Sequence, residues 1–534
     1  MKKLMLLVVM LPFYVFSQEA SDTLPSATRR AVATISADQI KGPMVFLSAD
    51  EMQGRNTGSH EGRIAANYIA SEFMRSGLKP AGDNGTYFQD FNLVTAWIDR
   101  ENTALKVAIG GFEKSYQIDH DFSFWVMQSN NPAQAIGPLT FLGYGIDANE
   151  YSYNDFAGVD LHGKIAMILQ REPQENNSKS KFKGSWNTFH AYEWFKAEQI
   201  RKAGAAGLLI IKKRNPGRAQ NVSSGPHPGN VAPLSHYALA GRLWDFPIFS
   251  VTSDVADDLL AGTGQSVESL EQEIDRSYQP HSFEVPGVTL TMKKALKDQK
   301  VIQGRNVLGL LEGTDPALRN ETVLISGHYD HLGVVGDRIY HGADDNASGT
   351  TGVLEIAKAY SLGALTSRRT ILFVAFDAEE RPMLGSYFYV EHPVIPLENT
   401  IADLNMDMIG RDEQTETWHT TAEQNKNDVN IVGTLYDPDL RRIIEDSDKT
   451  IGLKLDFKTD NRDPEAWFAR SDQFWFAIRH IPMVLFTTGE HPDYHTENDT
   501  WDRIDYRKME KIIQLVFLTS VELADSRQKP KFVP

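Results

Sequence analysis

The residues best suited to chemistry begin at the end of an apolar segment. Thr322 to Ile325 is predicted to be a buried strand, and His328 follows it closely. Asp330, two residues on, can accept the hydrogen of the second ring nitrogen of His328, which fixes the tautomer of a metal ligand. Asp345 precedes a predicted helix over residues 348–360. The pattern is consistent with a metal site in which Asp345 bridges two cations, or with an ordinary helix N-cap cluster.

Three later segments repeat this arrangement, each with an ionisable residue beyond an apolar run. Taken alone, the two adjacent glutamates of the first segment are also consistent with solvated side chains at the start of a helix, where their charge interacts favourably with the helix dipole. In open α/β sheets, however, ligands bind beyond the carboxyl ends of the strands, and every one of these residues is predicted to lie there. The residues are Glu379 and Glu380 after Thr370–Phe376, Asp407 after Ile401–Asn405, and His495 in the loop after Met483–Phe486.

The donor set indicates the kind of metal centre. The chain has no cysteine, which excludes thiolate zinc sites, disulfides and cysteine nucleophiles. Five nitrogen and oxygen donors exceed what one open zinc site takes but fit two metals that share a carboxylate. Glu379 would lie beside these five donors without binding a metal itself. The sequence therefore predicts a two-metal hydrolase with the candidate ligands His328, Asp345, Glu380, Asp407 and His495.

The elements that must position these residues form an α/β pattern. A length of 534 residues predicts two domains, or one large domain with an insertion. From residue 288 onward, strands alternate with helices, which predicts a mostly parallel central sheet with flanking helices. Several short strands and one helix between residues 115 and 287 predict a smaller, β-rich α/β insertion. The expected larger domain therefore comprises residues 27–114 and 288–534, interrupted by an inserted domain over residues 115–287.

The first residues indicate export. Lys2 and Lys3 precede an apolar run from Leu4 to Phe16, and small residues follow, which predicts a signal peptide over residues 1–17. The alternative is a membrane anchor, but the run is shorter than the roughly 20 residues that a spanning helix needs. We therefore expect a periplasmic or extracellular protein with no membrane span in the mature chain. The net charge of -17 argues against a nucleic-acid partner.

Five motifs together resemble those of the M28 family of zinc metallopeptidases in kind, order and approximate spacing. The resemblance covers about residues 35–110 and 288–525 and implies a zinc-peptidase fold of the phosphorylase/hydrolase-like type. The middle segment resembles a non-catalytic protease-associated domain, through motifs such as Gly143-Tyr144-Gly145. The five motifs are Gly327-His328-Tyr329-Asp330, Gly342-Ala343-Asp344-Asp345-Asn346-Ala347-Ser348-Gly349, Ala378-Glu379-Glu380, Asn405-Met406-Asp407-Met408 and Tyr494-His495-Thr496.

The resemblance implies a role for each of these residues. It implies two Zn²⁺ ions, one held by His328 and Asp407, the other by Glu380 and His495, with Asp345 rather than Asp344 as the bridge. A metal-activated water would attack the scissile carbonyl. The remaining roles are Glu379 as general base, Asp330 as the carboxylate behind His328, and Tyr494 as hydrogen-bond donor to the tetrahedral intermediate.

The expected activity is release of N-terminal residues from peptides with a free N-terminus, as in most of the family. A carboxypeptidase or dipeptidase would need a cation in the pocket, and Arg381 is the one adjacent to the motif glutamates. A glutaminyl cyclase-like acyltransferase shares the metal motifs. A non-enzymatic binding protein on a decayed peptidase fold is a further alternative, against which the intact Glu379 argues. The sequence predicts neither the preferred side chain nor the oligomeric state.

Overall fold

The computed structural model describes residues 24–124, 132–175, 177–184, 186–212, 236–240, 246–463 and 466–533. The predicted signal peptide, residues 1–17, lies outside the described residues. Within the described parts of the chain, every helix is too short or too polar to cross a membrane.

The larger sheet has ten described strands and confirms the predicted α/β class. Its centre is parallel: Thr322–His328 lies between Thr370–Phe376 and Thr400–Met406, and Met483–Thr487 follows. Antiparallel strands extend the sheet on both sides. Across the sheet the order is His236–Leu239, Phe88–Ile98, Leu296–Leu311, Thr370–Phe376, Thr322–His328, Thr400–Met406, Met483–Thr487, Asp428–Val432 and Lys454–Asp456, with Lys79–Pro80 paired to Leu296–Leu311.

The central strands are buried on both faces, which explains their nearly continuous apolar sequences. In Thr370–Phe376, alternate residues such as Phe373 and Val374 belong to two different hydrophobic clusters, one on each face. Helices cover these faces and leave the carboxyl edge of the parallel strands for polar residues. The described α-helices are Ser26–Val32, Ala37–Leu47, His60–Arg75, Glu193–Lys202, Ser253–Leu260, Val267–Ser277, Gly349–Leu362, Leu384–Glu391, Pro438–Ile451, Lys458–Asn461, Gln473–Ile478 and Tyr506–Asp525.

A second sheet of eight described strands is formed largely by the segment predicted to be inserted. The order is Phe112–Tyr116, Ala104–Ile109, Ser282–Lys294, Ala133–Leu142, Ile165–Leu169, Gly207–Ile211, Ile248–Val251 and Phe122–Phe124. Two-stranded ribbons pair Asp147–Ala148 with Tyr153–Asn154, and Gly333–Val335 with Arg338–Tyr340.

The boundaries of this sheet differ from the predicted domain limits. Ala104–Ile109 and Ser282–Lys294 pair with each other inside the second sheet, although the limits at 114/115 and 287/288 place them in or across the larger domain. The connections between the sheets lie instead near residues 99 and 295, where the Asp99 amide donates to the Ala295 carbonyl oxygen at 3.0 Å. Alternating sequence patterns identify strands but not their partners, which explains the difference.

One strand of the insertion also pairs with the larger sheet. His236–Leu239 is antiparallel to Phe88–Ile98, and the Trp186 indole nitrogen donates to the Tyr436 hydroxyl at 2.9 Å. Strand Leu296–Leu311 lies inside the larger sheet, with Thr370–Phe376 on one side and Phe88–Ile98 and Lys79–Pro80 on the other. Both sheets are therefore held together by backbone pairing and side-chain contacts.

Candidate di-metal active site

The carboxyl edge of the parallel strands brings all five predicted ligands together. Within the described residues, two groups of donor atoms lie within 4.8 Å of one another. Asp345 belongs to both, which is the arrangement expected of a bridging carboxylate. One group contains His328, Asp345 and Asp407, and the other contains His331, Asp345, Glu380 and His495.

The first group, which we call site A, surrounds the Nε2 atom of His328. This nitrogen lies 3.3 Å from Asp407 Oδ1 and 3.4 Å from Asp345 Oδ1. His328 ends its strand, and its Nδ1 lies 3.2 Å from the Asp330 carbonyl oxygen, which leaves Nε2 directed at the carboxylates. The three side chains are mostly buried, the most exposed being Asp407 at 12%.

The second group, site B, lies on the other side of Asp345. His495 Nε2 is 2.8 Å from Asp345 Oδ2 and 3.4 Å from Glu380 Oε1. Asp345 therefore directs Oδ1 towards site A and Oδ2 towards site B. His331 Nδ1 lies 2.7 Å from Glu380 Oε1, so a second imidazole joins this group.

The neighbouring Asp344 belongs to neither donor group. Its carboxylate accepts from the Gly410 amide at 2.6 Å and lies 3.2 Å from His491 Nε2. The carboxylate of Asp499 accepts from the backbone amides of both Asp344 and Asp345. These contacts fix the turn before helix Gly349–Leu362 and leave Asp345, rather than Asp344, directed at the two donor groups.

The electrostatics of both sites favour a cation. Burial opposes charge on Glu380, but the adjacent His495 and His331 hold the pKa of its carboxyl well below the usual range. Burial also opposes charge on His495, yet Glu380 and Asp345 raise its pKa to about 10. The His495 imidazole thus carries a proton that a bound metal ion would displace, as is usual when metals bind histidine.

This arrangement fits a pair of divalent ions such as zinc. The donors are imidazole nitrogens and carboxylate oxygens, the set that zinc accepts in the absence of thiolates. Both ring nitrogens of His331 are buried and, among the residues that the structure describes, have no hydrogen-bond partner. A buried polar atom without a partner is costly, and a bound ion would supply one.

Glu379 belongs to neither group and lies beside site A. Its Oε2 is 3.7 Å from His328 Nε2, and its side chain lines a cleft together with Asp345 and Asp407. Burial, reinforced by the nearby carboxylates and opposed by His328, raises the pKa of the Glu379 carboxyl well above its usual range. A carboxyl with a raised pKa, placed next to a metal site, suits proton transfer.

Asp330 does not hold His328 in the way the sequence predicted. Its carboxylate is 3.6 Å from His328 Nδ1, longer than a hydrogen bond, and its backbone carbonyl oxygen is the closer partner. The carboxylate instead accepts from the Thr57 hydroxyl and from the Glu379 amide, both at 3.0 Å. The local spacing could not reveal these partners, since both come from distant parts of the chain.

The cleft beside site A has an apolar wall, and its arginine, Arg470, is paired with a carboxylate. Met408, Trp467 and Leu485 line it, and Tyr494 lies at its edge with its ring stacked on His495. Arg470 Nη2 donates to the Tyr494 hydroxyl oxygen at 3.3 Å, and it lies 2.7 Å from Glu490 Oε1. Tyr494 thus keeps its own hydrogen for a ligand in the cleft.

Arg381, the cation singled out from the sequence, is not part of this cleft lining. Its Nη2 donates to Asn56 Oδ1 at 2.6 Å, and its guanidinium lies over the ring of Tyr237. Arg470 lies about ninety residues further along the chain, and no motif adjacent to the glutamates pointed to it.

Arg55 is a second residue that sequence reasoning missed. It is fully buried and donates to four backbone carbonyl oxygens at 2.6–2.9 Å. Burial, opposed by nearby carboxylates, lowers its pKa to about 10, so it stays charged at neutral pH. It ties the loop of Asp330 to the turn before Asp345. The four carbonyls belong to Leu47, Tyr329, His341 and Gly342.

We expect Arg55→Met to lower the free energy of unfolding by about 3 kcal/mol, because several buried carbonyl groups would lose a charged donor at once. The midpoint of chemical denaturation, followed by circular dichroism, measures the change. The control is Arg63→Met, an exposed arginine on helix His60–Arg75, which should leave the midpoint unchanged. Equal midpoints for the two variants would contradict the structural role of Arg55.

The comparisons with known proteins agree with this geometry. Residues 306–520 match the family model described as Peptidase family M28. This part of the chain belongs to the M28 peptidase family. Both sites lie in this M28 region, which begins within strand Leu296–Leu311 and ends in helix Tyr506–Asp525.

Relatives of the M28 region include different peptidases. Aminopeptidase YwaD of Bacillus subtilis (strain 168) is 28% identical over 220 residues, which are 40% of this chain and 43% of that protein. Probable glutamate carboxypeptidase AMP1 of Arabidopsis thaliana is 27% identical over 396 residues, 69% of this chain and 50% of that protein. The chain thus spans half or less of the length of these two relatives.

A solved structure extends the likeness beyond the M28 region. The aminopeptidase from Aneurinibacillus sp. strain AM-1 aligns with a TM-score of 0.51 and 20% identity, over 95% of this chain and 98% of that one. At this identity the likeness shows a shared fold.

Proposed function

We propose that this protein is a di-zinc metallopeptidase and that it acts as an aminopeptidase. The observation that carries the proposal is the shared carboxylate: Asp345 directs one oxygen to each of two donor groups, and Glu379 lies beside one of these groups in the cleft that Asp345 and Asp407 also line. Two metals held a few ångströms apart by a common carboxylate are typical of hydrolases that activate water.

Two zinc ions would be held in sites A and B. Zinc bound there would supply Lewis acidity, which lowers the pKa of water and polarises a carbonyl oxygen. The protein contributes the fixed donor positions, since His328 and Asp407 end adjacent strands and Asp345 is held by the turn that Asp499 caps. His495 comes from the loop after the fourth parallel strand.

Glu379 would act as general base and then as general acid. It would take a proton from the attacking water and deliver it to the amine that leaves, which requires a carboxylate next to the metals but not bound to them. Asp330 fixes its position, because the Asp330 carboxylate accepts the Glu379 amide hydrogen at 3.0 Å. Thr57 in turn anchors Asp330.

Tyr494 would stabilise the negative charge that develops on the carbonyl oxygen. Its hydroxyl oxygen accepts a hydrogen bond from Arg470, so its hydrogen is available to donate into the cleft. A donor already in place when the charge develops costs little reorganisation and contributes substantially to catalysis. Arg470 is thus a positioning residue for Tyr494.

The charge of the cleft favours a substrate with a free N-terminus. Glu379 and Asp407 line the cleft beside site A, and a peptide α-ammonium or amine would lie close to them and to the scissile carbonyl. The nearby cation, Arg470, is paired with Glu490, which leaves little positive charge for a C-terminal carboxylate. The relative YwaD is itself named an aminopeptidase.

The test compares a short peptide with its N-acetylated counterpart, both with an amidated C-terminus, in zinc-loaded protein. We expect release of the N-terminal residue from the free peptide and loss of cleavage at that bond in the acetylated one. Equal cleavage of both would contradict recognition of the α-amine.

A carboxypeptidase is the second candidate, because Arg470 lies in the cleft and the relative AMP1 is named a probable glutamate carboxypeptidase. The same acetylated peptide with a free C-terminus distinguishes it. Release of the C-terminal residue from that peptide, and not from its amide, would favour the carboxypeptidase over the aminopeptidase.

The proposal includes export and a two-domain organisation. The basic and apolar pattern of residues 1–17 supports a cleaved signal peptide, and N-terminal sequencing of the mature protein tests it. The segment 115–287 resembles a protease-associated domain, for which a non-catalytic role as lid, substrate gate or partner-binding module is proposed. Nucleic acid and membrane are not among the proposed partners, given the acidic charge.

A further inference from the structure

We propose that His331 is a fourth protein ligand in site B, so that site B is closed by protein while site A keeps an open position for substrate. This rests on the proposed function only in so far as the two sites bind divalent metals. The two ions would then have different tasks: the ion in site B would be retained tightly, and the ion in site A would face the cleft.

The distances within site B fit a tetrahedral ion. Four ligands with bonds of about 2.0–2.1 Å to one zinc lie roughly 3.3 Å apart. His331 Nδ1 is 2.7 Å from Glu380 Oε1 and 3.8 Å from Asp345 Oδ2, and the corresponding distances from His495 Nε2 are 3.4 and 2.8 Å. The average of these four distances lies close to that value, so His331 and His495 occupy equivalent positions around one point.

The orientation of His331 supports ligation over a simple hydrogen bond to Glu380. Nδ1 and Glu380 Oε1 are close, yet the two atoms are not aligned as donor and acceptor, and both lack a hydrogen-bond partner in the part of the chain that the structure describes. Two ligand atoms that both point at the same metal ion have this geometry, because they lie close together without pointing at each other. The ring is fully buried, so water cannot compensate for the missing partner.

Neighbouring residues hold the His331 ring in its position. The His331 backbone amide donates to the Arg55 carbonyl oxygen at 3.4 Å, and the ring packs against Gly342 so closely that a Cβ there would lie 2.4 Å from His331 Cγ. A side chain at residue 342 would therefore displace the imidazole. The ring of His495 also lies near it, 5.6 Å away between centroids.

The two sites also differ in their access to the cleft. Asp407 of site A and the shared Asp345 line the cleft, and the Asp407 side chain is 12% exposed. The three other ligands of site B are covered, with exposures of 0% for His331, 3% for His495 and 4% for the Glu380 side chain. Four protein ligands in a covered site are typical of structural zinc, whereas three ligands and an open position are typical of catalytic zinc.

The test uses metal binding to the apoprotein and needs no activity. His331→Leu keeps a buried apolar shape without a donor, and His331→Asp places a carboxylate oxygen the same number of bonds from Cα as Nδ1. Isothermal titration with Zn²⁺ should show two unequal sites in the parent protein. We expect the tighter one to weaken at least about 100-fold in His331→Leu, more than the loss typical of a residue outside the coordination sphere, and to recover in His331→Asp.

The control is His60→Gln, an exposed histidine outside both groups, which should leave both affinities unchanged. Unaltered affinities in His331→Leu would overturn the proposal and leave His331 as a packing residue. If that variant fails to fold, X-ray absorption spectroscopy of the parent protein with one equivalent of zinc tests the proposal instead. Two imidazole ligands on the ion, from His331 and His495, would support the proposal. One imidazole ligand would overturn it.

These outcomes are separate from those of the proposed function. A parent protein that binds two metals at unequal sites but cleaves no peptide would reject the peptidase and retain the role of His331. Peptide cleavage together with only one imidazole ligand at the tighter site would retain the peptidase and reject the role of His331.

Discussion

Asp345→Ala is expected to purify with neither metal ion bound at stoichiometric level and to have no measurable peptidase activity. Asp345 provides one oxygen to His328 of site A and the other to His495 of site B, so its removal takes a ligand from both sites at once. It also leaves the remaining carboxylates without the shared ligand that would hold two cations together. Metal analysis of the purified variant by mass spectrometry, with circular dichroism to establish that it folds, measures this result.

The adjacent carboxylate provides a matched control. Asp344→Asn keeps the shape of a side chain that accepts from the Gly410 amide and lies outside both donor groups. It should retain two metals and most of the activity. If instead Asp344→Asn lost the metals and Asp345→Ala kept them, the assignment of the bridge would be reversed.

Glu379→Gln is expected to keep both metals and the fold but to lose about 10²- to 10⁴-fold in kcat, the range typical of a general acid or base. Glu379 lies beside site A without belonging to either donor group, so an amide in its place removes proton transfer and little else. The amide can still occupy the same volume, and the backbone hydrogen bond to Asp330 is unaffected. Single-turnover kinetics at fixed metal occupancy measure the loss.

A substitution at the neighbouring Glu380 distinguishes the role of a general base from that of a metal ligand. Glu380→Gln changes the same atoms one residue on, but its carboxylate lies between His331 and His495 in site B. We expect this variant to lose affinity for metal as well as activity. Near-normal turnover in Glu379→Gln would remove Glu379 from the mechanism, and loss of metal in that variant would make it a ligand.

The pattern of the sequence was sufficient for the central strands and for the residues at their ends. The expected strands Thr322–Ile325 and Thr370–Phe376 form as Thr322–His328 and Thr370–Phe376, because strands buried on both faces leave a continuous apolar run in the sequence. The helix expected over residues 348–360 forms as Gly349–Leu362. These features depend on neighbours in the chain and can therefore be read locally.

The strand pairing of the inserted segment could not be predicted from local sequence patterns. The second sheet takes Ala104–Ile109 from outside the expected limits and Ser282–Lys294 from across one of them, since strand pairing joins residues that are far apart in the sequence. An alternating strand shows which face is buried but not the strand beside it. The limits of the insertion thus required the tertiary structure.

The sequence by itself determined that this protein places histidines and carboxylates at the ends of parallel strands, and it singled out Asp345 as the candidate for a shared metal ligand. Only the tertiary structure decided which side chains converge. It placed His331 in site B, joined Asp330 to Glu379 and Thr57, and brought in Arg470 from a distant loop. The physical reason is that periodicity records the burial of each element, whereas hydrogen bonds and metal ligands depend on contacts between elements, which local spacing does not encode.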